Sequence, residues 1–420
     1  MNYADAERVK SVLETLGYVE GQQEEKADLI LVMSCSVRQK AMDRIYGKGK
    51  IWNQWKKERP LFTVLSGCVL PEDRPKMKSI FDVIFQIKEV DKLGEMISKR
   101  VNEYEDIIPG SAYFKIPPKY SSSFQAFLPI QAGCNKFCTY CAVPYTRGPE
   151  AYHPASQIME EVEDLARRGF KEITLLGQTV NSYKNTEEPD AHIQTFADLL
   201  RFVAEAAPRT WIRFISPYPT DFTEELVEVI ATHDNICKTI HMPVQSGNNE
   251  VLRRMARKYT REQYLEKVRM IRAALPDTSL TTDCIVGFCG ETEEQFQDSL
   301  ALFDEVKFDM AFTAQYSPRP GTTSGRFFKD DVPREVKKDR EERLTKVLAK
   351  HSAAFNARLV GKNLPVLIEK EKVGFYHGRT EHNKPVRVPA ISDGEQRVGA
   401  FADVRITSST TWNLTGELMQ

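Results

Sequence analysis

Apolar residues recur at helical spacing near the start of the chain, at Ala6, Val9, Val12, Leu13 and Leu16, and Gly17 closes the run, so residues 4–16 are expected to be a helix. The next apolar stretch, Asp28-Leu29-Ile30-Leu31-Val32-Met33, is short and unbroken, which predicts a buried strand ending at Ser34-Cys35-Ser36. A helical pattern runs from about Arg38 to Glu58. A second strand is expected at 61–65, ending at Ser66-Gly67-Cys68, and a third at 82–86. Strands alternating with helices predict a parallel sheet over residues 1–100.

The texture then changes. Residues 101–124 hold Pro109-Gly110, Pro117-Pro118 and Ser121-Ser122-Ser123, a linker composition. Beyond it the alternation of strand and helix recurs six times, with strands expected at 126–131, 172–177, 211–215, 238–244, 280–286 and 309–315. Helical patterns at 154–168, 222–233, 260–274 and 292–306 fill gaps between them. Six units are too few for a closed eight-stranded barrel. A partial (β/α)6 barrel over 125–332 is the expected form, open on one side. Residues 333–362 read as one charged connecting helix. From 363 to 420 short strands at 364–368, 385–389, 401–406 and 413–418, with turns between, predict a small β-barrel of oligonucleotide-binding type. The fold class is therefore α/β with a β appendage.

Composition narrows this only a little. The chain has 420 residues, 41% hydrophobic and 28% charged, which suits two or three globular domains. Its first residues lack the basic and apolar regions of a secretory leader, and no apolar run reaches membrane-spanning length. A cytoplasmic protein with no membrane partner is expected. The formal net charge is −1, so any nucleic-acid surface must be local. Of eight cysteines, five stand where metal ligands could, which fits a reducing compartment better than a disulfide scaffold.

The sharpest chemical signal is Cys134-Asn135-Lys136-Phe137-Cys138-Thr139-Tyr140-Cys141, behind the apolar run 126–130. Three thiolates at such short spacing suit iron–sulfur or zinc ligation. Zinc asks for a fourth ligand, and none lies nearby in sequence. Cys35 and Cys68 each stand just past the end of an expected parallel strand, where ligands gather, so they should converge. Cys237 and Cys284 lie in or beside expected strands and read as core. Polar and glycine-rich segments follow the barrel strands: Gly177-Gln178-Thr179, Ser216-Pro217-Tyr218, Gln245-Ser246-Gly247 and Gly287-Phe288-Cys289-Gly290-Glu291. Lys136 and Arg147 are candidates for a phosphate or a carboxylate, against the alternative of solvated surface charge. The turn Tyr316–Thr322 presents an exposed Arg319. Residues 374–384 read as one loop that sets aromatics beside Arg379 and Lys384, as single-strand RNA binders do.

The cysteine motif, extended through Ala142-Val143-Pro144-Tyr145-Thr146-Arg147-Gly148, resembles that of the radical S-adenosylmethionine (SAM) methylthiotransferases. Met1-Asn2-Tyr3-Ala4-Asp5-Ala6-Glu7-Arg8, Cys35-Ser36-Val37-Arg38-Gln39-Lys40-Ala41 and Ser66-Gly67-Cys68 are similar to that family's first domain. Gly378-Arg379-Thr380 resembles its closing TRAM domain, an RNA-binding module. The resemblance implies a 4Fe–4S cluster on Cys134, Cys138 and Cys141, with the open iron holding SAM. It also implies an auxiliary 4Fe–4S cluster on Cys35 and Cys68. The family's third auxiliary ligand belongs to a Cys-Gln-Met-Asn turn. This chain opens at the Met-Asn of that turn, so the first strand and first cysteine are expected to be missing from it.

By the same resemblance SAM is expected near Gly177, Gln178, Ser216 and Glu291, and RNA near Arg319, Arg379 and Lys384. Cys289 stands where the family usually has proline and reads as incidental. The implied reaction puts a methylthio group on an unactivated C–H position. The first motif points to the branch acting on C2 of N6-isopentenyladenosine at position 37 of the tRNA anticodon loop. Sister branches act on threonylcarbamoyladenosine or on a ribosomal-protein aspartate, and a non-catalytic iron–sulfur RNA-binding protein is the alternative of another class. An electron donor such as flavodoxin or ferredoxin is implied, and the sulfur donor is not revealed.

Overall fold

A computed structural model describes residues 1–35, 39–99, 112–186, 188, 192–391 and 396–419. Ser36-Val37-Arg38 of the second motif and Pro109-Gly110 of the expected linker lie outside the described residues. The chain forms two compact units, the first comprising Met1–Ser121, Gln131–His153 and Ser317–Lys329, the second Ser122–Ile130, Pro154–Tyr316 and Asp330–Gln420.

The first unit is built on three parallel strands in the order β1 (Leu29–Cys35), β2 (Phe62–Cys68), β3 (Val83–Ile84). Successive residues of a strand face opposite sides. Val64 packs with Val9 of the helix Asn2–Thr15 on one face, and Leu65 with Met42, Ile45 and Trp52 of the helix Gln39–Glu58 on the other. Covering both faces of a parallel sheet is why these strands read as unbroken apolar runs. Both β1 and β2 run on through their cysteines instead of stopping short of them.

Two expectations fail in this unit. The end of the supposed linker is structured: Ala112–Lys115 is a helical turn, and its Tyr113 is buried and donates to Asp5 Oδ1 at 2.7 Å. Arg319 is not exposed. It is 8% accessible, because the segment that carries it packs within this unit beside Asp73 and Cys35. The chain next enters β4 (Gln125–Pro129), which belongs to the second unit, and returns as the antiparallel pair β5 (Gln131–Ala132) and β6 (Ala151–Tyr152).

The second unit holds the six expected parallel strands. β4, β7 (Glu172–Leu176) and β8 (Trp211–Phe214) form one three-stranded sheet; β9 (Thr239–His241), β10 (Ser279–Val286) and β11 (Met310–Gln315) form the other. The bridge Ile212↔Ile236 joins the two. Four of the helices between them start on a threonine, at Thr195, Thr223, Thr260 and Thr292, whose side chain accepts an amide of the first turn. Such a cap stabilises each helix by about 1 kcal/mol.

The last strands close a barrel in the order β12-β13-β14-β16-β15: β12 (Asn363–Lys372), β13 (Phe375–Thr380), β14 (Pro385–Pro389), β15 (Phe401–Ser409) and β16 (Leu414–Leu418). Residues 375–380, expected as loop, are the strand β13. Gly378 hides it in the sequence, yet glycine is required there, since a Cβ would fall on the Leu367 carbonyl of β12. Alternation along β13 buries Tyr376, Gly378 and Thr380 and turns Phe375, His377 and Arg379 outward.

Arg379 is nevertheless not a free cation. It donates to Glu369 Oε1 at 2.6 Å, Asn383 Oδ1 at 2.6 Å and Glu172 Oε1 at 2.9 Å. Glu172 also accepts Arg213 Nε at 2.6 Å, and Arg213 donates on to the Thr380 and Glu381 carbonyls at 2.9 and 2.8 Å. Burial raises the Glu172 carboxyl, but the two guanidiniums more than offset this and hold it below the usual range. Trp211 packs on Phe401 beside them, with ring centroids 4.7 Å apart. Lys384 is 5% exposed, donates to the Asp309 carbonyl at 3.3 Å and lies over the Phe355 ring. Arg379 and Lys384, two of the three cations expected to meet RNA, thus fasten the small barrel to the parallel strands.

Candidate functional site

The cysteine loop is shaped by its glycine and its ladder. Gly133 has φ +80°, and a Cβ there would collide with the Pro149 carbonyl, so no other residue lets the chain double back. The Cys134 amide donates to the Gly148 carbonyl at 3.2 Å, Gln131 Nε2 holds the Gly133 carbonyl at 2.8 Å, and Glu150 receives the Asn135 amide at 3.3 Å. Cys134 and Cys138 are buried and Cys141 is half-buried. Burial pushes the Cys134 thiol up, opposed by the Lys136 amide that hydrogen-bonds to it and reinforced by the charge of Cys138. The Val143 amide points at Cys141 Sγ from 3.4 Å. Phe137, between the first two cysteines, is held at φ +50° with its ring 57% exposed. A non-glycine residue in that region is strained, and such strain gathers at functional loops.

These features fit an iron–sulfur group. Sheltered sulfurs that receive backbone N–H groups are the environment that sets cluster stability and potential. Among the described residues, no three His, Cys, Asp or Glu side chains are grouped closely enough to hold a single metal ion.

Cys35 and Cys68 end β1 and β2 directly opposite one another in the parallel register. Gly67 lets them do so: at φ +93° it brings its backbone against Ser34, where a Cβ would meet the carbonyl at 2.5 Å. Arg147, six residues after Cys141, is buried here and is no solvated charge. Its Nε donates to Cys68 Sγ at 3.2 Å and its Nη2 to Asp5 Oδ2 at 2.6 Å and Asn2 Oδ1 at 3.1 Å. Burial opposes its charge, but Asp5 and Cys68 hold it protonated above the ordinary arginine range. The sequence offered a carboxylate partner for Arg147 as one option; it did not reveal that the partner is Asp5 or that a thiol shares it.

In the second unit the loops after β7 and β8 are clamped together. Asn181 donates to the Tyr218 carbonyl at 3.0 Å and accepts the Tyr218 amide at 2.6 Å, while the Val180 amide reaches the Ser216 carbonyl at 3.3 Å. Gly177 is buried and Gln178 half-buried just before this clamp. Ser216 and Gln245, each soon after a strand end, both have positive φ, at +64° and +72°. Glu291 behaves differently from the other residues expected near SAM. It is 4% exposed, accepts the Gly287 amide at 2.6 Å and Arg340 Nη1 at 2.9 Å, and burial raises its carboxyl. Its geometry is that of a brace for the loop after β10. Cys237, Cys284 and Cys289 are buried, and burial pushes their thiols up, Cys237 to about 12.

On the small barrel the outward side of β13 and β14 sets the Arg387 guanidinium 3.4 Å from the Phe375 ring centre, with His377 opposite Arg387 in register. Arg387 was missed by sequence reasoning. Strand alternation over Pro385–Pro389 exposes it, and that signal was legible.

Comparison with known proteins agrees with this layout. The Radical SAM superfamily profile matches residues 128–303, the TRAM domain profile 357–419, and that of uncharacterized protein family UPF0004 residues 1–87. A protein of Bacteroides thetaiotaomicron named tRNA-2-methylthio-N(6)-dimethylallyladenosine synthase is 39% identical over 436 aligned positions, covering 99% of this chain and 93% of the relative. One of the same name from Halalkalibacterium halodurans is 38% identical, covering 100% of this chain and 79% of the relative. Among solved structures, the radical S-adenosylmethionine methyltransferase TsrM of Kitasatospora setae superposes with a TM-score of 0.55 at 14% identity, over 76% of this chain and 73% of that one, a likeness of fold. Among the described residues no helix is long and apolar enough to cross a membrane.

Proposed function

The chain belongs to the family of the tRNA-2-methylthio-N(6)-dimethylallyladenosine synthases, radical SAM methylthiotransferases, and we propose that it adds a methylthio group to C2 of N6-isopentenyladenosine in the anticodon loop of tRNA. Membership in the radical SAM superfamily implies a 4Fe–4S cluster and SAM. We assign the cluster to Cys134, Cys138 and Cys141; when bound it supplies the electron for reductive cleavage of SAM. The observation that carries the proposal is the cysteine loop itself, with sheltered sulfurs, inward-pointing amides and a turn only Gly133 permits.

The chain's own residues do the rest. The Lys136 and Val143 amides stabilise negative charge on the sulfurs of Cys134 and Cys141. Gly177, Gln178 and Ser216 offer backbone and short polar groups to SAM beside a clamp that fixes their loops. Glu291 acts at one remove, by bracing the loop after β10. A second, auxiliary 4Fe–4S cluster is assigned to Cys35 and Cys68, whose adjacent strand ends present two thiolates side by side, with Arg147 balancing the charge of Cys68. RNA contact on the small barrel is assigned to Phe375, His377 and Arg387, an aromatic ring with a guanidinium over it and an imidazole alongside. The electron donor is assigned to the flavodoxin or ferredoxin class and the setting to the cytoplasm. The five segments 1–100, 101–124, 125–332, 333–362 and 363–420 follow this division of labour.

In a strain lacking the gene, digested tRNA is expected to lose 2-methylthio-N6-isopentenyladenosine and to accumulate N6-isopentenyladenosine, measured by nucleoside mass spectrometry. Loss of methylthiolated threonylcarbamoyladenosine instead would transfer the protein to the sister branch.

A further inference from the structure

Parallel sheets are normally covered on both faces. The sheet of β9, β10 and β11 is covered on one. Along β10 the residues Leu280, Thr282, Cys284 and Val286 are buried, while Thr281, Asp283 and Ile285 are only half-buried. On β11 the exposure is larger: Met310 is 37% accessible and Phe312 55%. Large apolar side chains left open on a central sheet mark a binding surface.

The open face also carries ordered polar groups. Phe312 lies opposite Asp283 in register, and Thr281 lies between Met310 and His241. His241 Nδ1 is 2.8 Å from Thr281 Oγ1, its Nε2 is 3.4 Å from Asp283 Oδ2, and its ring meets Phe312 edge-on at 6.0 Å between centroids. The hydrogen bond to Thr281 orients the imidazole and sets its Nε2 beside the Asp283 carboxylate, next to the aromatic ring. The Asp283 side chain remains 37% exposed and can take a further partner.

We propose that this face seats the adenine of the substrate nucleoside, a step that rests on the reading of the preceding subsection. Phe312 supplies the stacking platform, since every base has a π-face. Asp283 supplies specificity: an ionised carboxylate only accepts hydrogen bonds, so it favours an amino edge over a carbonyl edge. N6-isopentenyladenosine keeps one N6–H for Asp283 and directs its apolar substituent toward Met310. His241 is a positioning residue for Asp283.

The test is equilibrium binding of anticodon stem-loops, with and without the isopentenyl group, to the full reconstituted chain. Phe312→Ala is expected to weaken binding of the isopentenylated loop about tenfold, the worth of one base–aromatic stack, and Phe312→Trp to restore it. Asp283→Asn is expected to reduce discrimination of adenine from guanine at that position. Phe312 is exposed, so its truncation opens no cavity, and circular dichroism will show an intact fold. Unchanged binding by Phe312→Ala, in a protein that does methylthiolate, overturns the inference alone. So does a change confined to SAM affinity, which would make this face the cofactor's. Binding that depends on Phe312 in a protein that never yields a methylthio product supports the inference and overturns the reading of function beneath it.

Discussion

Alanine at Cys134, Cys138 or Cys141 is expected to abolish reductive cleavage of SAM, leaving 5′-deoxyadenosine at the level of the reagent blank after anaerobic reconstitution. Cys134 and Cys138 are buried and Cys141 half-buried, all within one loop held by the Gly133 turn and the β5–β6 pair. No other described cysteine lies within that loop to replace a lost ligand. A thiolate removed there leaves an iron without its protein ligand and exposes the cluster, whose stability follows ligation and solvent access. Iron content and visible absorbance should fall together with activity. Cys237→Ala is the control. Its thiol is buried among Trp211 and Leu367 and pushed up to about 12, so it is an apolar filler and its loss should leave the spectrum unchanged. Undiminished 5′-deoxyadenosine from any of the three loop variants would remove the assignment.

Glu172→Ala is expected to give the largest loss of stability, about 3–5 kcal/mol, because it leaves the buried Arg213 and the largely buried Arg379 without their shared carboxylate. The melting temperature should drop on the order of 10 °C by circular dichroism. Arg213 also donates to the Thr380 and Glu381 carbonyls, so strain at this point is transmitted directly into β13 of the small barrel. Arg379→Ala removes one arm of the network and should lower stability without changing the salt dependence of tRNA binding. Arg387→Ala should do the opposite, reducing the salt slope by about one with stability unchanged. A salt slope that responds to Arg379 and ignores Arg387 would return the phosphate contact to the former.

Most of the frame was legible because it rests on local pattern. The apolar runs at Leu29–Cys35 and Phe62–Cys68 are packed against on both faces and read as strands, and the helix starts at Thr260 and Thr292 carry capping boxes visible in the sequence. The short cysteine spacing needed no fold to be recognised. What failed was the solvation of charge. Arg319, Arg379 and Lys384 looked like free cations because the contacts that bury them come from distant segments: Glu172 stands 207 positions from Arg379, beyond its nearer partners Glu369 and Asn383, and the Asp309 carbonyl 75 from Lys384. The strand β13 was missed because Gly378 and its polar neighbours mimic a loop, whereas the glycine answers the close approach of Leu367. The group His241, Asp283 and Phe312 lies on three separate strands, so only the register of the sheet assembles it.

The most direct test supplies the reconstituted protein with SAM labelled in its methyl group and with tRNA whose anticodon loop carries N6-isopentenyladenosine, then digests the tRNA and analyses its nucleosides. The expected result is 2-methylthio-N6-isopentenyladenosine carrying the label, formed only with SAM, reductant and the isopentenylated tRNA all present. Cleavage of SAM with the isopentenyladenosine returned unmodified, while a threonylcarbamoyladenosine tRNA or a protein substrate gains the label, would contradict it.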